Sequence, residues 1–267
     1  MAPVLCFDIE TVPDVTGMRR LLAVASPGEP AIEAAQMDDE AVAETFFARR
    51  RDKTGSDFLP LHQHRVVAIA CLMRSDDGLF VRCLGRPEDG EDKLIALFFR
   101  QIERYSPQLV SWNGSGFDLP VLNYRALVHG VAAARFWDMG DADREFRYNN
   151  YISRYHARHL DLMDLLAMYS PRASVPLDEL ARLCGFPGKL GMDGSQVWGA
   201  WQAGQHEQIR QYCETDVANT WLMYCRFQRL RGQWDDARYD TEIELLRDTI
   251  AADDARHWRQ FLQGWTS

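Results

Sequence analysis

Short apolar runs, separated by turn residues, predict the strands of a β-sheet. The first run ends at Thr11-Val12-Pro13, and the turn Asp76-Asp77-Gly78 joins the second run to the third as a hairpin. The second and third strands are therefore predicted to be antiparallel neighbours. The four runs cover residues 3–9, 66–73, 79–84 and 108–112.

Apolar residues at helical spacing predict the helices. Residues 51–60 and 186–199 are predicted to be loops, and residues 135–159 show no clear period. The order of the elements favours one mixed sheet surrounded by helices, and hence a single α/β domain. The predicted helices cover residues 14–50, 91–104, 118–129, 160–168, 177–184, 205–231 and 240–263.

The composition permits a folded enzyme and argues against several other classes. The chain has 267 residues, of which 46% are hydrophobic, enough to bury a core. It lacks an apolar run of about 18 residues and a basic N-terminal region, so we expect a cytoplasmic protein without a membrane span or signal peptide. The six cysteines form no CxxC pair, which indicates reduced core thiols rather than a zinc site.

The formal net charge of -9, taken alone, argues against a nucleic-acid partner. A nuclease that depends on divalent cations needs a cluster of acids, however, and the bound cations would reverse the local field. The positions of the charges are therefore more informative than their sum.

Two acids lie at the end of the first predicted strand. Asp8 and Glu10 are two residues apart, so their side chains project from the same face of the strand while Ile9 faces the other way. Two neighbouring carboxylates repel each other unless they are solvated or share a cation. The pair therefore indicates either a metal site or a strand that simply leaves the core.

Two further segments carry candidate site residues. Asp118 follows the fourth strand and a glycine-containing loop, where it is either a helix N-cap or a metal ligand, or both. Tyr212 and Asp216 are four residues apart on the long predicted helix, so they share one helical face. A surface acid is the alternative for Asp216.

The segments FDIET (7–11), NGSGFD (113–118) and YCETD (212–216) together resemble the motifs of the DEDD superfamily of 3′-5′ exonucleases. The tyrosine makes the chain similar to the DEDDy branch, and in particular to stand-alone exonucleases related to the proofreading domain of family B DNA polymerases. The resemblance covers residues 4–220 and implies a ribonuclease H-like fold. We expect residues 1–267 to form one exonuclease domain, with residues 221–267 as a C-terminal helical segment.

The resemblance also implies a role for each motif residue. Asp8 would bridge two divalent cations, Mg²⁺ or Mn²⁺, while Glu10 and Asp216 complete one site and Asp118 holds the second cation. Tyr212 would orient the attacking water or help to deprotonate it. The substrate would be the 3′ end of single-stranded DNA or RNA, and the product a nucleoside 5′-monophosphate.

One segment of this acidic chain contains arginines and aromatics but no acid. Residues 146–160 include Arg147, Arg154 and Arg158, which could contact phosphates, and tyrosines that could stack on unpaired bases. The segment is therefore a candidate guide for a single strand. Alternatively, these arginines pair with acids just upstream, at Asp138, Asp141 and Asp143.

Three other residues are candidate nucleic-acid contacts. Asn113 and Phe117 belong to the second motif, and Lys189 lies in a glycine-rich loop that is either a phosphate contact or a flexible solvent loop. Asp161 and Asp164 are candidate supports of the site, with capping or surface acids as the alternative. The sequence does not separate a deoxyribonuclease from a ribonuclease, and a catalytically inactive binding module is the non-enzymatic alternative.

Overall fold

The computed structural model of the chain describes residues 3–24, 32 and 34–266. Its centre is a five-stranded sheet in the order β3-β2-β1-β4-β5. Strand β1 pairs antiparallel with β2 and parallel with β4; β2–β3 is antiparallel and β4–β5 is parallel. The strands are β1 (Val4–Pro13), β2 (His64–Ser75), β3 (Gly78–Cys83), β4 (Gln108–Ser111) and β5 (His159–Asp161).

Helices cover both faces of this sheet. The mixed sheet, its strand order and its flanking helices agree with the predicted ribonuclease H-like fold. The helices are α1 (Val15–Leu22), α2 (Asp39–Thr54), α3 (Glu91–Tyr105), α4 (Asp118–His129), α5 (Leu162–Leu166), α6 (Leu177–Leu183), α7 (Val197–Gln202), α8 (His206–Leu230), α9 (Asp236–Ala251) and α10 (Arg256–Gln263).

The alternation of side chains along β1 separates two hydrophobic cores. Leu5, Phe7 and Ile9 belong to a core that also contains buried residues of α3 and α4. Val4 and Cys6 point to the other face and join the core that includes α8. Asp8 and Glu10 continue this second series, so the strand geometry directs both acids toward α8.

The pairing of β1 with β2 leaves space around the acids. Asp8 is registered with Ala70 and Glu10 with Ala68, and both alanines are fully buried. Registered residues of an antiparallel pair lie on the same face, so two small side chains flank the carboxylates. The register shifts between Glu10 and Thr11, directly after the second acid.

Several predicted boundaries are wrong. The first strand continues through Thr11-Val12-Pro13, which remain paired with β2. Strand β5 overlaps the first two residues of the predicted helix 160–168, because a strand of three residues is too short to show a period. Helix α7 begins inside the predicted loop 186–199, and the predicted helix 240–263 is two helices, α9 and α10.

At the N-terminal side, α2 ends four residues later than predicted, before Gly55, whose φ of 76° is favourable for glycine. The predicted helical stretch 14–50 contains α1 and most of α2, and its residues 25–31 and 33 lie outside the described residues. The expected division at residues 220 and 221 falls inside α8. In the part of the chain that the structure describes, no helix is long and apolar enough to span a membrane.

A buried ion cluster joins the end of β1 to α3 and α4. Arg125 is 3% exposed and donates to both carboxylate oxygens of Glu91, at 2.8 and 2.6 Å, and to Asp14, at 2.5 Å. Glu91 also accepts the Val66 N–H at 2.7 Å and contacts His129 at 2.7 Å. Removal of the arginine would leave two buried carboxylates without their main cationic partner.

We therefore expect Arg125→Ala to lower the free energy of unfolding by about 3–5 kcal/mol, the usual cost of breaking a buried ion pair. Urea unfolding followed by circular dichroism measures this change. Arg100→Ala is the matched control, because Arg100 is exposed on α3. Equal midpoints for the two variants would contradict the stabilising role of the cluster.

Candidate active site

Asp8 and Glu10 approach each other on the face of β1 that α8 covers. Ligand atoms of Asp8, Glu10 and Cys213 all lie within 4.8 Å of one another. The Cys213 thiol donates toward the backbone oxygen and Oδ2 of Asp8, and its sulfur lies 3.4 Å from each of them. Helix α8 therefore contacts the first acid directly. Glu10 is buried and Asp8 is half-buried.

Asp118 reaches the same strand from α4. Helix α4 begins at Asp118, with Phe117 at the N-cap position, so the predicted N-cap role of Asp118 is wrong. Its Oδ1 instead accepts the N–H of Ile9 at 3.1 Å, between the two acids of β1. Asp118 is 4% exposed. This long-range hydrogen bond brings the third acid to the first two.

Tyr212 and Asp216 complete the cluster from α8. Both are buried on the helix face that packs toward β1, as their spacing predicted. A cavity of about 440 Å³ is lined by Asp8 and Asp216 together with Lys189 and Asn113. The five motif residues, which are separated by up to about two hundred positions in the chain, therefore meet at one place.

Burial and mutual repulsion disfavour the charged forms of these acids. Burial raises the pKa of Asp8 well above its ordinary value, and Asp118 and Asp216 raise it further. Burial and the charge of Asp8 do the same to the pKa of Glu10, and burial raises the pKa of Asp216. Burial also raises the pKa of Asp118 to about 7. Additional positive charge next to the cluster would therefore favour its ionised form.

The donor set fits hard divalent cations. Oδ1 of Asp216 is buried and has no hydrogen-bond partner among the described residues, which is costly for a carboxylate. Oxygen ligands from four carboxylates suit Mg²⁺ or Mn²⁺. Burial raises the pKa of Cys213 well above its ordinary value, so in the metal-free protein its thiol stays protonated and donates to Asp8.

Lys189 enters the cluster from the glycine-rich loop. Its Nζ donates to the Tyr212 hydroxyl and lies 3.5 Å from Asp216 Oδ2. The loop is anchored rather than free: Lys189 N–H donates to Asp178 at 2.6 Å, and Gly188 exchanges two hydrogen bonds with Asn219 of α8, at 3.1 and 2.9 Å. The lysine is therefore held beside Tyr212 and Asp216.

Asp161 is the support of the loop that carries Asp118. Its carboxylate accepts the N–H groups of Asn113 and Ser115, at 3.0 and 2.8 Å, and also caps α5 at Asp164 N–H. Asn113 has a φ of 66°, a conformation that asparagine tolerates better than most residues. The sequence analysis gave Asp161 and Asp164 as candidate supports of the site. It did not predict which N–H groups Asp161 would bind.

Some of the predicted nucleic-acid contacts lie at the acid cluster or at the surface, whereas others make internal contacts. Asn113 lines the cavity of the acids, while Phe117 packs against His64, 5.2 Å between ring centroids. Arg158 donates to the backbone oxygens of Asn149 and Ser106 and is half-buried, so its contacts are internal.

The other two arginines are exposed. Arg154 pairs with Asp164 at 2.5 Å, and Arg147 is solvent-exposed. Of the three acids suggested as their partners, Asp138 and Asp143 are engaged by Arg135, at 3.5 and 2.9 Å. Segment 146–160 is therefore partly a structural anchor and partly an exposed surface.

The raised pKa of Asp118 generates a stability prediction for the metal-free protein. A carboxyl whose pKa is raised in the folded state stabilises the protein when it is protonated. This contribution is fully present below the unfolded-state pKa of about 3.9 and is lost as the pH rises through the folded-state pKa. Since that folded value is about 7, Asp118→Asn should gain stability over the wild type between pH 4 and pH 7. The gain should be on the order of 2–4 kcal/mol at pH 7, measured by urea unfolding in EDTA.

Asp57→Asn serves as its control, because Asp57 is exposed in the loop before β2. Its stability should follow that of the wild type at every pH. A constant difference between Asp118→Asn and the wild type from pH 4 to pH 8 would show that the Asp118 carboxyl is not perturbed by burial.

Comparison with solved structures found a resemblance to the family B DNA polymerase of the hyperthermophilic archaeon Pyrobaculum calidifontis. The two chains are 18% identical, the TM-score is 0.47, and the match covers 82% of this chain. The chain spans only 24% of the length of that polymerase. No curated protein matches the sequence.

A family model matches residues 56–265, which include Asp118, Tyr212 and Asp216 but not the acids of β1. The family is described as predicted 3′-5′ exonucleases related to the exonuclease domain of PolB. The matched region is most of the chain, and the acids of β1 join it in space through the Asp118–Ile9 hydrogen bond. The chain belongs to this family of predicted 3′-5′ exonucleases.

Proposed function

We propose that the protein hydrolyses single-stranded nucleic acid, DNA in the first place, from its 3′ end and releases nucleoside 5′-monophosphates. The observation that supports this most is the cluster of four carboxylates, three of them buried and Asp8 half-buried, in which Oδ1 of Asp216 has no hydrogen-bond partner in the part of the chain that the structure describes. Clustered carboxylates are unfavourable without bound cations. Phosphodiester hydrolysis by two cations requires a cluster of this kind. The proposal takes the whole chain as one exonuclease domain, in which α9 and α10 pack on α8.

In this proposal, two divalent cations, Mg²⁺ or Mn²⁺, would be held by the four carboxylates: Asp8 would contribute to both, Glu10 and Asp216 would complete one site, and Asp118 would hold the other. When bound, the ions lower the pKa of the attacking water and stabilise the charge on the departing 3′-oxygen. The protein's part is to hold the four carboxylates on rigid elements. The alanines of β2 that flank Asp8 and Glu10 leave room for the ions.

Tyr212 acts as a neutral hydrogen-bonding group in this scheme. Burial, with the charges of Asp216 and Glu10, raises the pKa of its phenol far above the ordinary value. The Tyr212 phenol therefore keeps its proton at neutral pH. This favours a role in which the phenol orients the attacking water over one in which a phenolate removes a proton from that water. Lys189, beside Tyr212 and Asp216, supplies positive charge near the phosphate that would be cleaved.

The test is a gel assay with 5′-labelled single-stranded DNA and RNA of the same sequence, with Mg²⁺, with Mn²⁺ and with EDTA. We expect a ladder of products shortened from the 3′ end, only when a divalent cation is present. Asp8→Ala should abolish it, because the shared ligand of both ions is lost, and Asp57→Ala should not.

Wild-type activity in Asp8→Ala would contradict the assigned site, and an absence of products from both nucleic acids would contradict the function. Faster hydrolysis of RNA than of DNA would assign the enzyme to the ribonucleases instead. Binding of a strand without hydrolysis under every metal condition would favour an inactive binding module.

Tyr212→Phe should slow the single-turnover rate by about 10²-fold, the typical effect of losing a positioned hydrogen-bonding group. Affinity for Mn²⁺, measured by calorimetry, should remain unchanged because the phenol is not a ligand. Tyr224→Phe is the matched control: Tyr224 is also buried on α8, but its hydroxyl bonds to Gln108 at 2.9 Å. Equal rates for Tyr212→Phe and Tyr224→Phe would exclude the proposed role.

A further inference from the structure

A second, polar cavity lies between α8 and α10, with Tyr212 in its wall. Its volume is about 330 Å³, and residues 190–192 of the glycine-rich loop close one side of it. Among the described residues, this cavity and the cavity of the acids have no lining residue in common. A cavity of this size accommodates a small molecule rather than a nucleic-acid strand.

The charged side chains that line this cavity are basic. Arg256, the first residue of α10, is exposed and has no side-chain partner in the part of the chain that the structure describes. His257 follows it and lines the same cavity, whereas no described carboxylate does so. In a chain with a net charge of -9, such a wall favours an anionic ligand.

The ring of His257 lacks the hydrogen bonds that a buried imidazole needs. Both of its ring nitrogens are buried and have no hydrogen-bond partner among the described residues. Nε2 lies 3.1 Å from Glu214 Oε2 without forming a hydrogen bond, and the other oxygen of Glu214 accepts the Cys83 N–H at 2.7 Å. Because an unpaired buried nitrogen is unfavourable, an acceptor on a ligand would stabilise this ring.

Amide side chains form much of the remaining polar wall. Gln208 and Gln211 contribute from α8 and Gln260 from α10, while Leu190 and Met192 add apolar surface from the loop. An amide both donates and accepts hydrogen bonds, which matches the edge of a nucleobase, and a guanidinium can bind a phosphate through two parallel hydrogen bonds. The wall therefore combines the contacts that a nucleotide requires.

We propose that this cavity binds a nucleoside 5′-monophosphate, with the phosphate at Arg256 and His257 and the base at the glutamine amides. The site is separate from the acid cluster and needs no cation. Without cations the four carboxylates of the cluster repel a phosphate, whereas the basic wall of this cavity attracts it.

The bound nucleotide is coupled to the acid cluster through one hydrogen bond. Tyr212 lines the nucleotide cavity and Lys189 lines the cavity of the acids, and Lys189 Nζ donates to the Tyr212 hydroxyl. A ligand that packs against Tyr212 displaces the phenol that orients the attacking water. This part of the inference rests on the proposed function, and it makes the released nucleotide an inhibitor of turnover rather than a competitor of the strand.

Calorimetry with 2′-deoxyadenosine 5′-monophosphate in EDTA tests the site without hydrolysis. The wild type should bind the nucleotide more tightly than inorganic phosphate, because the base adds its own contacts. Arg256→Ala should weaken binding by at least about tenfold, the typical loss for a charge-assisted hydrogen bond, and Gln208→Ala by about threefold. Arg259→Ala is the matched control, because Arg259 is exposed on the same helix but pairs with Asp254 and does not line the cavity.

Asp8→Ala distinguishes this cavity from the acid cluster, since it should bind the nucleotide in EDTA as tightly as the wild type does. Weaker binding by Asp8→Ala, together with wild-type affinity in Arg256→Ala, would assign the nucleotide to the acids and overturn the inference. Equal affinities of the wild type for inorganic phosphate and for the nucleotide would overturn it as well.

Product inhibition tests the coupling. Added nucleotide should lower kcat for strand hydrolysis and leave KM unchanged in the wild type and in Arg259→Ala, and the inhibition of Arg256→Ala should require at least about tenfold more nucleotide. An increase in KM alone would overturn the coupling. A wild type that binds the nucleotide in EDTA but hydrolyses no strand would show that the proposed function is wrong and the site is right, and hydrolysis without such binding would show the reverse.

Discussion

The burial of like charges is the constraint on which the rest of this structure depends. Carboxylates from β1, α4 and α8 lie together midway along the central strand, where desolvation and repulsion both oppose ionisation. Such a cluster persists only if the surrounding framework is stable without it. The framework here is the central position of β1, which pairs on both edges and is covered by helices on both faces. The ion cluster around Arg125 connects the C-terminal end of the same strand, at Asp14, to α3 and α4.

The sequence predicted those parts of the site that depend on local geometry. The two-residue period of a strand placed Asp8 and Glu10 on one face, and the helical period placed Tyr212 with Asp216. Resemblance to a family connected these segments, which periodicity alone could not do. Asp118 was identified, but its hydrogen bond to Ile9 was not, because a contact across 109 positions leaves no local pattern. The hydrogen bonds of Lys189 to Asp178 and of Gly188 to Asn219 could not be predicted for the same reason.

Two of the three arginines in the segment 146–160 are held by contacts within the chain. Arg158 donates to backbone oxygens and Arg154 pairs with an acid. The sequence could not separate these roles, because the fold determines which partner each arginine meets. Positive charge next to the acid cluster comes instead from Lys189, whose Nζ lies 3.5 Å from Asp216 Oδ2.

The two alanines opposite the acids have a consequence for how such chains diverge. Ala68 and Ala70 contribute no functional group, yet their small size keeps the space beside Asp8 and Glu10 open. Replacement of either by valine would add two methyl groups there while leaving the acidic motifs intact. A gene copy could therefore lose its activity by drift on β2 and still carry all the signature residues. Inspection of the motifs alone would then classify an inactive relative as an enzyme. The residues of β2 that face the acids must therefore be compared together with the motifs.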